Sequence, residues 1–152
     1  MKTIPRLFSV SVLLAAVAQP ASAELTLSDA WLRAMPPTQS MTAGYLTLRN
    51  EGAGDRVVTG ASSDVSPRVE IHTTVERDGM QRMEAVSRIP LAAGDTLTLT
   101  PGGYHLMLRE MPRMPAVGES VMLCIEFSEG EPACTQAEVR RDAPDTDHSH
   151  HH

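Results

Sequence analysis

The sequence predicts an all-β protein, a single-domain antiparallel β-sandwich with Greek-key links. Three observations carry that expectation. Short apolar or alternating runs recur along the chain, each bounded by Gly, Pro, Asn or Asp. No long segment keeps the 3.6-residue period of an amphipathic helix. Asp78-Gly79 stands between two such runs, and that dipeptide is the strongest short-range sign of a two-residue hairpin turn.

The first strand is expected at Ala30 to Met35, where Pro36-Pro37 ends it, with Trp31 in the core. In Gly44 to Arg49, Tyr45, Thr47 and Arg49 alternate with Leu46 and Leu48 until Asn50-Glu51-Gly52. Arg56 to Ala61 comes next. Arg68 to Glu76 and Met80 to Arg88 flank the Asp78-Gly79 turn. Pro101-Gly102-Gly103 separates Asp95 to Thr100 from Tyr104 to Arg109. Ser120 to Phe127 and Thr135 to Arg140 complete the set. The sandwich is expected over residues 24–141, with no internal repeat and no second domain.

The two ends read differently. Lys2 and Arg6 precede an apolar run, Leu7 to Ala18, and Ala21-Ser22-Ala23 is an A-x-A-like cleavage signal. Residues 1–23 are therefore expected to be a secretory signal peptide. The run falls short of the roughly 20 apolar residues a membrane span needs, so no stable membrane insertion is expected after cleavage. Residues 142–152 are acidic, contain Pro144 and end in Asp-His-Ser-His-His-His, a composition expected of a disordered tail.

Charge and cysteines narrow the function. Loss of Lys2 and Arg6 leaves 11 basic residues against 19 acidic ones, so the formal charge moves from −6 to −8. An acidic exported domain is a poor partner for nucleic acid or anionic membranes. Cys124 and Cys134 lie symmetrically about Glu129, in the turn-like segment Ser128 to Pro132. A hairpin centred there sets the two sulfurs opposite each other. In an oxidising compartment, a structural disulfide is favoured over metal thiolates.

The chemistry lies in four soft donors: His72, Met83, His105 and Met107. Ten residues separate the first pair, twenty-one the second, and one the third. Two imidazoles and two thioethers suit Cu(I), whereas Zn²⁺, Mg²⁺ and Ca²⁺ sites rarely use thioether. Strand alternation puts His105 and Met107 on one face, with Tyr104, Leu106 and Leu108 on the other. A two-residue turn at Asp78-Gly79 pairs Thr74 with Met83, which sets Met83 diagonal to His72 on the face of Glu70, His72 and Thr74. A slip of one residue would turn Met83 away. Taken singly, a methionine is more often a core filler and a strand histidine a surface residue. The conjunction points to metal, because His72 and His105 are the only histidines before residue 148 and each has a methionine on its face.

At these residues the chain resembles the periplasmic Cu(A) chaperones, the PCuAC-like proteins. Their pattern of His, Met after ten residues and His-x-Met after twenty-one more reads here as His72, Met83 and His105-Leu106-Met107. Val69-Glu70-Ile71-His72-Thr73, Asp78-Gly79-Met80 and Pro101-Gly102-Gly103-Tyr104 match as well, and the likeness runs from about Ala30 to Glu126. The resemblance implies a cupredoxin-like β-sandwich binding Cu(I) at an exposed site through the four matching residues. It also implies delivery to the Cu(A) subunit of cytochrome c oxidase, directly or with a Sco-type thioredoxin-like partner, in the periplasm. Some relatives carry Met directly after the first His, where this chain has Thr73. No Cys lies in the donor set, so the His₂Cys electron-transfer centre of blue copper is disfavoured.

Other constellations are secondary. His148, His150, His151 and His152, with Asp145 and Asp147, form either a Cu(II) site or an expression tag. Met111 and Met114 flank the site strand, as transient thioether contacts or as a hydrophobic or docking loop. Paired catalytic carboxylates, a Gly-x-Ser-x-Gly elbow and a phosphate loop are absent from the sequence, which argues against an enzyme. The expected function is Cu(I) delivery. Copper buffering or tolerance without a dedicated acceptor is the alternative, and a metal-free adhesion or assembly module is the third reading.

Overall fold

A computed structural model describes residues 24–141, so the expected signal peptide and the His-rich tail lie outside the described residues. Ten strands and no helix are found among those residues. They are β1 Leu25–Arg33, β2 Thr42–Asn50, β3 Arg56–Ser63, β4 Arg68–Arg77, β5 Met80–Ala85, β6 Ile89–Leu91, β7 Thr96–Leu99, β8 His105–Arg109, β9 Ser120–Phe127 and β10 Ala133–Arg140. The all-β single domain expected from the sequence is the fold observed.

The strands form one sheet in the order β5-β4-β8-β2-β1-β10-β9-β3-β6, with β7 also paired to β2. Its pairs are antiparallel except β1 with β10, which run parallel. Near its ends the sheet turns back on itself. Ser63 bridges to Ser66 between β3 and β4, and the Ser66 hydroxyl lies 2.8 Å from the carbonyls of both Arg68 and Arg109. The inner face is apolar: Leu32, Leu46, Leu48, Ile71, Leu106 and Leu108 pack with Val58, Val121, Leu123, Ile125 and Val139. Period-two alternation sends these residues inward and leaves the other face of β4 and β8 for His72, His105 and Met107.

Most strand boundaries fall within two residues of expectation, and two differ by three or more. β1 starts at Leu25, five residues early. Its register shifts between Ser28 and Trp31, where Asp29 takes a left-handed φ of 53°. This is a β-bulge, which interrupts the alternation without ending the strand. The run expected from Met80 to Arg88 stops at Ala85. Ile89–Leu91 then crosses to the far end of the sheet and pairs with β3. Pro90 is accommodated there because β6 is an edge strand, where a missing N–H leaves no ladder bond unmade.

The β9–β10 hairpin closes as its symmetry suggested. Cys124 and Cys134 are direct cross-strand partners and are joined by a disulfide.

Candidate metal centre

The two halves of the donor set arrive on neighbouring strands. In the β4–β5 hairpin Asp78 and Gly79 have φ of 53° and 75°, as a type I′ turn requires. The register is then Arg77 opposite Met80 and Thr74 opposite Met83, as expected. Met83 therefore lies on the His72 face.

β8 reaches β4 by another route. β7 and β8 lie end to end along β2, with Leu46–Arg49 opposite β7 and Thr42–Gly44 opposite β8. The turn at Pro101-Gly102-Gly103, with Gly102 at a φ of 86°, joins them. Its bonds run from Gly103 N–H to Thr100 C=O and from Thr100 N–H to Tyr104 C=O, both 3.0 Å. On its other edge β8 pairs with β4, placing His105 directly opposite His72 and Met107 opposite Glu70. The two imidazole centroids are 5.9 Å apart and tilted by 54°.

Three of the four donors are shielded. His72 is 9% exposed, His105 6% and Met107 9%, while Met83 is 61% exposed. Met83, His105 and Met107 line one shallow hollow of about 220 Å³, with Arg33, Tyr45, Thr74 and the Pro101-Gly102 turn among its walls. His72 does not line that hollow; it stands across from His105 on the next strand. The open site that the resemblance implied is thus open mainly at Met83, on the outermost strand.

Hydrogen bonding fixes which ring nitrogens carry protons. Nδ1 of His105 lies 3.1 Å from the Gly103 carbonyl. A carbonyl only accepts, so Nδ1 donates and a neutral ring keeps its lone pair on Nε2. Nε2 of His72 lies 2.8 Å from Oε2 of Glu70. A carboxylate likewise only accepts, so that proton sits on Nε2. Nδ1 of His72 is buried and finds no hydrogen-bond partner among the described residues. An orphaned buried lone pair is costly unless something else occupies it, and a metal ion is one such occupant. With two thioethers nearby, the set fits a soft monovalent cation better than a hard divalent one.

The carboxylate of Glu70 is itself held. Arg68 approaches Oε1 to 2.6 Å and Arg109 approaches Oε2 to 3.6 Å. Bonds from His72 first, then from Arg68, keep the Glu70 carboxyl below the ordinary glutamate range. On the other flank Trp31 stacks on Tyr45 with centroids 4.5 Å apart. The Arg33 guanidinium lies 5.9 Å and 5.6 Å from those two rings, within cation–π range. Burial raises the Tyr45 pKa, opposed by the Arg33 charge, so its hydroxyl stays protonated.

Sequence reasoning set Glu70 on the His72 face and gave it no role; its spacing of two residues from a candidate ligand on one strand was the available signal. Arg33 and Tyr45 carried no comparable signal, because β1 and β2 reach the site only through tertiary pairing. Met111 and Met114 were expected as transient thioether contacts or as a hydrophobic or docking loop. They lie in the loop after β8 with both side chains buried in the hydrophobic core, 5% and 7% exposed, which is the hydrophobic-loop reading, and thioether flexibility fills gaps there. His148, His150, His151 and His152 lie outside the described residues.

The profile of the family described as "Putative lipoprotein LpqE-like" matches residues 25–139. A relative from Leifsonia xyli subsp. xyli (strain CTCB07), named "Putative lipoprotein Lxx21020", is 35% identical over 124 residues, covering 76% of this chain and 74% of its own length. Among solved structures, apo-DR1885 from Deinococcus radiodurans is 29% identical with a TM-score of 0.60, covering 93% of this chain and 97% of that one. Its Cu(I) form has the same identity and TM-score, covering 84% and 83%. The copper-bound PCuAC domain from PmoF2 is 21% identical with a TM-score of 0.64, covering 84% of this chain and all of that one, and it supports the fold alone. This chain belongs to the LpqE-like family.

Proposed function

We propose that this protein is an exported Cu(I) metallochaperone that carries the ion on His72, Met83, His105 and Met107. The observation that carries the reading is the direct pairing of His72 with His105, with Met107 and Met83 on the same sheet face. The Cu(I) form of DR1885, at 29% identity, supports it, as does the lipoprotein name of the relative for export. Copper is cargo here, and no catalytic step is assigned to the protein.

Each donor contributes something different. The imidazoles and Met107 come from the two central strands of the site, where packing holds them in place. Met83 projects from edge strand β5, so an acceptor's ligand would approach on that side. Thioether and imidazole bind Cu(I) less tightly than thiolate, so a cysteine-rich acceptor can take the ion by stepwise exchange. The proposed acceptor is the Cu(A) subunit of cytochrome c oxidase, reached directly or through a Sco-type partner in the periplasm. The tail histidines His148, His150, His151 and His152 are proposed as a separate Cu(II) site; unchanged Cu(II) stoichiometry after deletion of residues 142–152 would remove that assignment.

Anaerobic titration with Cu(I) against a competing chelator, with X-ray absorption on the loaded protein, tests the site. One equivalent bound by two sulfurs and two nitrogens is expected; a sulfur-free shell overturns the ligand set. A deletion strain grown at low copper tests delivery. Loss of Cu(A) assembly is expected, while a phenotype confined to copper tolerance would favour buffering.

A further inference from the structure

We infer that Glu70 is a positioning residue that selects the ligating nitrogen of His72, so that the two imidazoles offer copper different atoms, Nδ1 from His72 and Nε2 from His105. This inference rests on the copper reading above and deepens it.

The geometry of Glu70 carries the argument. It lies two residues before His72 on the same face of β4, directly across from Met107. One carboxylate oxygen is occupied by Arg68, at 2.8 Å from Nε and 2.6 Å from Nη2. The other meets Nε2 of His72 at 2.8 Å. Held this way, the carboxylate anchors the imidazole instead of competing for the metal, and as a hard donor it is a poor ligand for Cu(I). A carboxylate that accepts from one ring nitrogen fixes the tautomer, directs the ring and raises the basicity of the other nitrogen. That other nitrogen, Nδ1, is the buried atom without a partner.

His105 uses the opposite arrangement. Its Nδ1 donates to the Gly103 carbonyl, so the turn before β8 does for His105 what Glu70 does for His72. The two rings lie side by side across β4 and β8, tilted by 54°. In the neutral rings these two bonds leave the lone pair on Nδ1 of His72 and on Nε2 of His105. A backbone carbonyl cannot be deleted by substitution, but Glu70 can, which makes the His72 half testable.

The test uses the ¹⁵N-labelled whole chain, first without metal at pH 8. Long-range ¹H–¹⁵N correlation should give His72 a protonated Nε2 and a bare Nδ1, and His105 the reverse. Glu70→Ala should abolish the His72 preference and weaken Cu(I) binding about 10–100-fold. Glu70→Gln keeps an oxygen able to accept from Nε2, so it should retain the preference and recover most of the affinity. A purely structural Glu70 would leave the His72 tautomer unmoved in Glu70→Ala. A proton on Nδ1 of His72 in the unsubstituted protein, or unchanged Cu(I) affinity in Glu70→Ala, overturns the inference. Failure of the unsubstituted protein to bind Cu(I) would instead overturn the copper reading, and the metal-free tautomers would still decide what Glu70 does to His72.

Discussion

His72 and His105 are direct cross-strand partners although 32 residues separate them in the chain. Their rings lie 5.9 Å apart, and each has one nitrogen engaged by an acceptor, Glu70 for His72 and Gly103 for His105. The proposed copper site depends on that pairing and on the two methionines on the same sheet face.

The thioethers should separate affinity from stability. Met83 is exposed on the edge strand, so Met83→Leu should change unfolding free energy by less than about 0.5 kcal/mol. Met107 is buried, and the volume-conserving Met107→Leu should cost less than about 1.5 kcal/mol. Both should lower Cu(I) affinity at least tenfold in chelator competition. Unchanged affinity in either variant would remove that residue from the donor set.

The hairpin turn should influence the site from a distance. A Cβ on Gly79 would meet nothing within 4 Å, so the cost of Gly79→Ala lies in its left-handed backbone. That cost should be about 1 kcal/mol in chemical denaturation. Because the turn sets the Thr74–Met83 register, Cu(I) affinity should fall as well. Full affinity in this variant would show that Met83 does not depend on the turn.

The disulfide should matter for stability alone. Between the β9–β10 hairpin and β8 lie β1 and β2, so the crosslink does not touch the donors. Replacing Cys124 and Cys134 by Ser should cost about 2–4 kcal/mol of unfolding free energy and leave Cu(I) affinity unchanged. A drop in affinity at a temperature where the variant is folded would contradict that separation.

An acid-dependent contribution should come from the loop between β8 and β9. Glu119 accepts two bonds from Arg113, at 2.8 and 3.1 Å, and one from the Ala116 N–H. The Arg113 bond first, then the Ala116 bond, hold its carboxyl below the ordinary glutamate range. A carboxyl depressed in the folded state stabilises the fold above its unfolded pKa, and that stabilisation is lost as pH falls through the folded value. The stability gap between the wild type and Glu119→Gln should therefore be constant near neutrality and close below about pH 4.3. Denaturant titrations across that range measure it, and a gap that widened with acid would contradict the assignment.

Much of the site was legible because its information is local. Alternation alone assigned His105 and Met107 to one face, and Asp78-Gly79 alone set the register that brings Met83 beside His72. Strand ends were less legible. The Asp29 bulge breaks the alternation of β1 without ending it, and the chain leaves the β4–β5 hairpin at Val86, whose amide still bonds to Ile71 C=O.

By itself, then, the sequence determined the strand class, the shared faces of the proposed donors and the cysteine pairing, because period-two geometry and turn chemistry act over a few residues. Only the tertiary structure decided that β8 docks on β4, that Met111 and Met114 belong to the core, and that Met83 alone of the four proposed donors stays open. Those outcomes depend on strands distant in sequence competing for the same sheet edges and the same buried volume, a competition settled when the whole sheet closes around its apolar face.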